Sequence, residues 1–589
     1  MKEFFKTMLA SMTGMLLAGF IMLAMIFSLI GIIIGSMETV HEIEENSVLM
    51  LDLNGTLEER AAEDPMAAIM GDDMKVLGLD DIIAAIKEAK KNDNIRGIYL
   101  QAGMLSASSA SLEEIRGELA SFKESGKFVV AYGDQYSQGM YYLATVADKV
   151  IVNPCGSIAW HGLSSQPIFY KNLLEKLGVE MQIFKVGTYK SAVEPFIATE
   201  MSDANREQVS EFLNSTWNEM TAAVSVSRGL PVGTLNSYAD RSMDFRQAEE
   251  YVYCGMADTM LYKDGVLDYL KTLTGTSDDE KLKIVTLADI KGKLELEAIY
   301  SNPEKEHVAV YYAYGEIDNS TSSYDEGINS EKVIRDLRSL REDKNVKAVV
   351  LRVNSPGGSA YGSEQIWREV SLLKAEKPVV VSMGDYAASG GYYISCAADR
   401  IVAANTTLTG SIGIFGMVPN FGKLLNGTIG LDFDVVKTNA LADMGVLSRT
   451  MTAEEAEIMQ SYVNEGYSLF LQRCADGRGM SVEAIDSIAQ GRVWTGEKAV
   501  QLGLVDEIGD LDRAVAIAAD MAGVKEYSVE SYPEVKDIMT LLLETDEENY
   551  METMLQKSFG GYGKSLSILR GMCNGRPLQA RLPFELNIK

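Results

Sequence analysis

The strongest constraint on how this chain folds is that it resembles itself. NIRGIYL at 94–100 recurs as NVKAVVL at 345–351, an offset of 251 residues. The same offset carries Ile82, Ile83, Ile86 and Ala89 onto Val333, Ile334, Leu337 and Leu340. At that spacing the positions form one face of a helix. GDQYSQGMYYLATVADKVIV from Gly133 falls on GDYAASGGYYISCAADRIVA from Gly384, and at an offset of 252 IFKVGTYKS from Ile183 falls on VVKTNALAD from Val435. The two halves are therefore a duplication. Each opens with a β-rich segment, Ser47 to Asn54 and His307 to Tyr314, and then alternates strand and helix. That order predicts α/β units with largely parallel strands. The expected repeats span 46–297 and 307–525, followed by an extension, 526–589, that has no counterpart.

Composition narrows the function. Apolar residues at 47% and charged residues at 23% describe a folded chain rather than a disordered one. Lysine and arginine number 54 against 84 acidic residues, a net charge of −30, so no basic footprint exists for a nucleic acid. The three histidines (His41, His161, His307) and five cysteines (Cys155, Cys254, Cys396, Cys474, Cys573) form no CxxC or HxxxH pair. Neither a metal site nor a disulfide framework is expected, and no cofactor.

From Thr7 to Met37 no charge interrupts the chain, and MLLAGFIMLAMIFSLIGIII exceeds the ~20 apolar residues needed to cross a bilayer. A cleaved signal peptide would carry an apolar region of about 7–15 residues ending in a small-x-small site. Here Ile32, Ile33 and Ile34 run into Gly35, Ser36 and Met37 instead. The segment predicts an uncleaved anchor. Lys2 and Lys6 precede it while Glu38, Glu42, Glu44 and Glu45 follow, which places the N-terminus in the cytoplasm and the rest outside. The fold class expected is thus two tandem α/β repeats after an N-terminal transmembrane helix, with 1–45 as cytoplasmic N-terminus and anchor.

The halves differ where chemistry would lie. VNSPGGSAYGSE from Val353 follows an apolar strand with two glycines whose exposed N–H groups suit an oxyanion, although an ordinary strand-to-helix turn is the plainer reading. The first-half counterpart, LQAGMLSAS, has lost Pro-Gly-Gly. In GDYAASGGYYIS, Ser389 stands where the chain bends into a helix, either as a cap or as a nucleophile. Its counterpart is Gln138. A serine nucleophile needs a base, and a lysine serves if burial disfavours its charge. Lys190 in GTYKSAVEPF has small and apolar neighbours, and its counterpart is Ala442. The losses are complementary: one half keeps the serine and the glycine turn, the other the lysine.

With VNSPGGS, DYAASGGYYIS and YKSAVEPF in place, the sequence resembles the signal peptide peptidase A (protease IV) family in its long, duplicated, membrane-anchored form, a likeness that spans nearly the whole chain. The resemblance implies a Clp-protease/crotonase-type fold and a serine peptidase with a Ser/Lys dyad. It carries over Ser389 as nucleophile, Lys190 as general base, Ser411 in LTGSIGI as the group that holds the lysine amine, and backbone N–H groups of Gly390, Gly357 and Gly358 as the oxyanion hole. It further implies a homotetramer, single-pass in the cell inner membrane with its catalytic region in the periplasm. Its partners would be the lipid bilayer and extended hydrophobic peptides, the signal peptides left in the membrane after secretion. Two other classes fit the same fold: a non-catalytic membrane scaffold and a crotonase-type acyl-thioester enzyme. Neither needs a buried lysine opposite Ser389.

Overall fold

The computed structural model describes residues 43–61, 76–299, 306–319, 327–534 and 578–581, besides residues 6, 13–15 and 20. In the first repeat β1 (Ser47–Glu58) is followed by α1 (Leu79–Lys91), β2 (Ile95–Ser106), α2 (Ser109–Lys123), β3 (Phe128–Tyr136), α3 (Gln138–Ala144) and β4 (Lys149–Ile158). The four strands lie side by side in chain order, all parallel. In α1 the residues Ile82, Ala85, Ile86 and Ala89 are buried on one face, with Asp80 and Asp81 in the first turn and Lys90 and Lys91 in the last. Those charges complement the helix dipole. Beyond the sheet come β5 (Glu180–Lys185) and the long helix α4 (Asp203–Arg228).

The second repeat runs β6 (His307–Tyr314), α5 (Ser330–Glu342), β7 (Val346–Ser355), β8 (Gly357–Ser359), α6 (Ala360–Lys374), β9 (Val379–Ala388), α7 (Gly390–Ser395), β10 (Leu408–Gly410) and β11 (Phe415–Asn420). Strands β6, β7 and β9 repeat the parallel order of β1, β2 and β3. Alternate residues of β7 face two different cores: Val349, Leu351 and Val353 pack with Leu337, Ile366 and Val370, whereas Ala348 and Val350 pack with Ala514 and Ala518. A parallel sheet covered on both faces calls for such an apolar run, here Ala348 to Leu351. The strand Ser528–Tyr532 pairs with β6 as Ile284–Thr286 pairs with β1, so the last strand of the unit lies past residue 525, where the sequence shows no counterpart.

A third sheet joins the repeats. Its order is Ile328–Asn329, Ile317–Asp318, β8, β12 (Leu578–Arg581), β11 and β5. β5 belongs to the first repeat and runs antiparallel to β11 of the second over six residue pairs, from Glu180–Asn420 to Lys185–Phe415. This pairing carries the chain that follows β5 toward the end of β9.

The expected membrane anchor must be corrected. Among the described residues no helix is long and apolar enough to cross a membrane. The Thr7–Met37 segment that carried the expectation lies, but for a few positions, outside them. The architecture is two α/β repeats, and the transmembrane helix, the bilayer as partner and the single-pass inner-membrane location are withdrawn.

One close approach exposes the packing to test. Gly477 lies in the helix Ala453–Arg478, and a Cβ there would overlap the Cys396 carbonyl oxygen just past α7. Alanine gains roughly 1 kcal/mol of helix propensity over glycine, but overpacking costs about 1–3 kcal/mol, so the clash should win. Gly477→Ala is expected to lower the melting temperature in a calorimetric scan; an unchanged or raised value would contradict this packing.

Candidate active site

Strand β9 is followed at once by Ser389, whose backbone sits at φ 55° and ψ −113°, a region that side chains with a Cβ rarely occupy. The turn is held by Ser389 N–H donating to the Gly410 carbonyl at 2.8 Å and by Tyr393 N–H donating to the Ser389 carbonyl at 2.8 Å. The side chain does not cap α7. The first repeat shows what a cap looks like at this place: Ser137 has φ −63° and its side chain accepts from Met140 N–H. Gln138, the counterpart of Ser389, is buried and spends its amide on Gly162 O and on the N–H groups of His161 and Gly162. The bend that would present a nucleophile is absent from that half.

Lys190 follows β5 by five residues and is 0% exposed, as is Ser389. Its Nζ lies 2.9 Å from Ser389 Oγ, 3.1 Å from Ser411 Oγ and 3.1 Å from the Ser411 carbonyl oxygen. All three oxygens are uncharged, and a neutral amine would donate its two hydrogens to the Ser411 pair and accept from the Ser389 hydroxyl. Burial pushes the amine well below its ordinary 10.5, with no carboxylate among the described residues to oppose the shift. Ser411, at φ 49°, donates its hydroxyl to Gly491 O at 3.3 Å, which turns its lone pairs toward the lysine. Gly491 (φ 78°) touches the other side of the lysine: a Cβ there would come within 2.6 Å of Lys190 Cβ. A glycine is required for that approach.

Polar side chains that the sequence does not single out fix the Lys190 loop. Ser191 Oγ donates to Asn205 Oδ1 at 2.9 Å, Asn205 Nδ2 donates to Glu194 Oε2 at 2.9 Å, and Gln208 Nε2 donates to the Tyr189 carbonyl at 3.1 Å. Gln208 Oε1 also accepts from Val493 N–H at 3.2 Å, tying α4 to the second repeat. The signal for this cluster is weak, since Asn and Gln three residues apart on an amphipathic helix look like any solvated face.

A second network joins the repeats below the glycine turn. Arg352 on β7 is buried between Glu59 (2.9 Å) and Glu114 (2.8 Å) of the first repeat and donates to Ser382 Oγ at 2.9 Å. Asn354 Nδ2 reaches Glu59 at 2.8 Å and Asp385 at 3.2 Å, while Ser111 donates to Asp385 through both N–H and Oγ. Burial pushes the Asp385 carboxyl up, opposed by those donors. Strands β7 and β9, which deliver the glycine turn and Ser389, are thus clamped to the other half.

In the turn, Gly357 stands at φ 99° and Gly358 at φ 155°. A Cβ on Gly357 would lie 2.8 Å from Gly390 N and would overlap the Ala580 carbonyl oxygen. Gly357 N–H donates to Ser355 Oγ at 3.2 Å. Gly390 opens α7, so its N–H is among those a helix leaves unpaired. The two described histidines lie elsewhere: His161 faces Asp244 and His307 faces Glu530.

Fold and site define a serine peptidase that works with a lysine rather than a histidine. The model of peptidase family S49 matches residues 121–277 and 371–525, and that of Clp protease matches 317–408. Protease 4 of Haemophilus influenzae is 36% identical over 526 residues, 84% of each chain. Protease 4 of Salmonella typhi is 37% identical over 517 residues, 84% of this chain and 82% of that protein. The chloroplastic serine protease SPPA of Arabidopsis thaliana is 33% identical over 452 residues, 76% of this chain and 66% of that one. The chain belongs to peptidase family S49 and is a Ser/Lys serine peptidase. The non-catalytic scaffold and acyl-thioester readings are set aside on that ground.

A lysine buried without a counter-charge costs stability. The unfolded chain protonates Lys190 below about 10.5, whereas the native state resists until its depressed value, so the cost grows as pH falls between the two. Lys190→Met should therefore raise the melting temperature, and the gap from wild type should widen as pH is lowered from ~9.5 to ~7.5. A variant that melts below the wild type across that window would contradict a buried neutral amine.

Proposed function

We propose that this protein is an endopeptidase in which Ser389 is the nucleophile and Lys190 the general base. The observation that carries the reading is the 2.9 Å hydrogen bond between the two side chains, both fully buried, with no charged group among the described residues to hold the amine protonated. Neutral Lys190 takes the Ser389 hydroxyl proton as Oγ attacks the scissile carbonyl, then gives it to the departing amine. Water next resolves the acyl-enzyme, with Lys190 again accepting the proton. Ser411 keeps the amine aimed at Ser389 through both its hydroxyl and its carbonyl.

The developing oxyanion falls to Gly390 N–H at the start of α7, with the Gly357–Gly358 turn beside it. Gly357 N–H is partly engaged by Ser355 Oγ, which makes Gly390 the stronger candidate. One such donor contributes ~3 kcal/mol to transition-state binding in other hydrolases. Substrates are extended peptides that add a strand beside the turn. The earlier assignment to peptides held in a membrane falls with the anchor and is no part of this reading.

Ser389→Ala and Lys190→Ala should each cut peptide hydrolysis by about 10³-fold or more with unchanged circular dichroism. Residual activity within tenfold of wild type in either variant would exclude the pair. In a Ser389→Ala background, adding Gln138→Ser should give no labelling at residue 138 by a serine-reactive probe. That half lacks the strained bend and the glycine turn, and the other repeat has Ala442 in place of the base. Strong labelling there would mean that the first repeat holds a competent site.

A further inference from the structure

One short segment, Gln490 to Arg492, holds both the lysine loop and Ser411. Tyr189 N–H, one residue before Lys190, donates to the Gln490 carbonyl at 2.9 Å. Ser411 N–H donates to the Arg492 carbonyl at 2.7 Å, and Gly491 N–H donates to the Ile412 carbonyl at 2.8 Å. The strand Val493–Thr495 that follows runs antiparallel to β10, with Val493 opposite Gly410, whose carbonyl holds Ser389 N–H. Gln490 itself stands at φ 53°, so it joins Ser389 and Ser411 as a third non-glycine residue of the site in the left-handed region. Strain of that kind persists only where the surroundings impose it.

The Arg492 side chain reaches back across to the first repeat. Its guanidinium lies over the rings of Tyr189 and Trp494, 4.5 Å from the centre of each. One Nη donates to the Tyr189 hydroxyl at 2.9 Å, and the other donates to Glu207 at 2.8 Å and Glu211 at 2.6 Å on α4. The Tyr189 hydroxyl in turn donates to Glu207 at 3.3 Å. Both glutamates are half-exposed, so their ion pairs with Arg492 add little stability of their own. The first repeat builds the same turn without an arginine. GMAD at 255–258 falls on GLVD at 503–506, an offset of 248 that carries Ser242 onto Gln490 and Asp244 onto Arg492. Ser242 keeps φ at 50°, while Asp244 turns to His161. The turn forms with either side chain, so the arginine is not there to make it.

We infer that Arg492 is a positioning residue for the general base, tying Tyr189, and with it the backbone of Lys190, to the segment that holds Ser411. The inference rests on the Ser389 and Lys190 assignment above, because only that assignment gives the lysine loop a task in the reaction. A guanidinium suits the role, since its planar fork stacks on an aromatic ring while donating to a hydroxyl and a carboxylate. Among the described residues the charged groups around the loop are Lys185, whose Nζ donates to the Lys190 carbonyl at 3.4 Å, Glu194 behind Asn205, and Glu207, Glu211 and Arg492 itself. None of them bonds Lys190 Nζ, which meets only Ser389 and Ser411. Loss of Arg492 would loosen Tyr189 and let water reach the amine, and hydration favours the ammonium form. The base would then be misaimed and would keep its proton to higher pH.

The test compares the full-length wild type with Arg492→Ala and with Tyr189→Phe, which removes only the hydroxyl that the guanidinium holds. Each is assayed for kcat and KM on an extended peptide, and for the rate at which a serine-reactive probe labels Ser389 between pH ~6 and ~11. Arg492→Ala should lose about tenfold or more in kcat near pH ~7.5 with KM within about twofold, because a misplacement of ~1 Å at a reacting group costs on the order of 10²-fold. Its labelling profile should move to higher pH by about one unit, so that the deficit narrows as pH rises. Tyr189→Phe should shift the profile in the same direction by less, and it decides the matter alone if Arg492→Ala does not fold. Variant profiles that coincide with the wild type, whatever the melting temperatures, would overturn the positioning role and leave the dyad standing. So would a raised KM at unchanged kcat, which would put Arg492 on the substrate instead of the base. A wild-type profile with no inflection below 10.5 would overturn the dyad and the inference with it.

Discussion

The structure turns on one desolvated amine. Lys190 is an expensive group to bury, since an ammonium loses its hydration and the described surroundings return only neutral acceptors. A carboxylate in place of Ser411 would have relieved the strain and left a salt bridge without chemistry. Everything around the lysine serves to keep it uncharged and aimed: Gly491 and Gly413 pack closely against its stem, Ser411 accepts its hydrogens, and the Ser191–Asn205–Gln208 cluster holds its loop. Ser389 contributes its own strain in a backbone conformation that the surrounding sheet must impose.

That arrangement explains why a duplicated chain carries one such site rather than two. The lysine comes from one repeat and the serine from the other, and the antiparallel pairing of β5 with β11 brings them together. The Glu59–Arg352–Glu114 network then fixes how the repeats meet. Burying those charges is worthwhile only when every partner is in place, and removing one would leave an unpaired charge, which typically costs about 3–5 kcal/mol. Registration of the two halves and geometry of the site are therefore coupled: β7 and β9, which the network clamps, are also the strands that end in the glycine turn and in Ser389.

Much of this was legible in the sequence because parallel strands buried on both faces leave unbroken apolar runs, and the runs recur at a fixed offset. Ser389 and Lys190 stood out by comparison of the halves, where Gln138 and Ala442 mark what each had lost. The rest was hidden for physical reasons. Gly491 matters only because it touches a lysine far away in the chain, and nothing local announces that. Arg352, Glu59 and Asp385 read as ordinary charges until the fold buries them. Residues 578–581 carry no motif, since a strand that binds through its backbone needs none. For the apolar N-terminal run, hydropathy and the lack of a cleavage site supported an anchor; no span is found among the described residues, and nearly all of that run lies outside them.

The central claim is that Lys190 is neutral near physiological pH and activates Ser389. The most direct test follows the rate at which a serine-reactive probe labels Ser389 as a function of pH, in wild type and in Lys190→Ala. The account predicts a wild-type profile that rises and levels off with an apparent pKa well below 10.5, and a variant that labels slowly with no such inflection. A wild-type rate still climbing at 10.5, or one matched by Lys190→Ala, would contradict it.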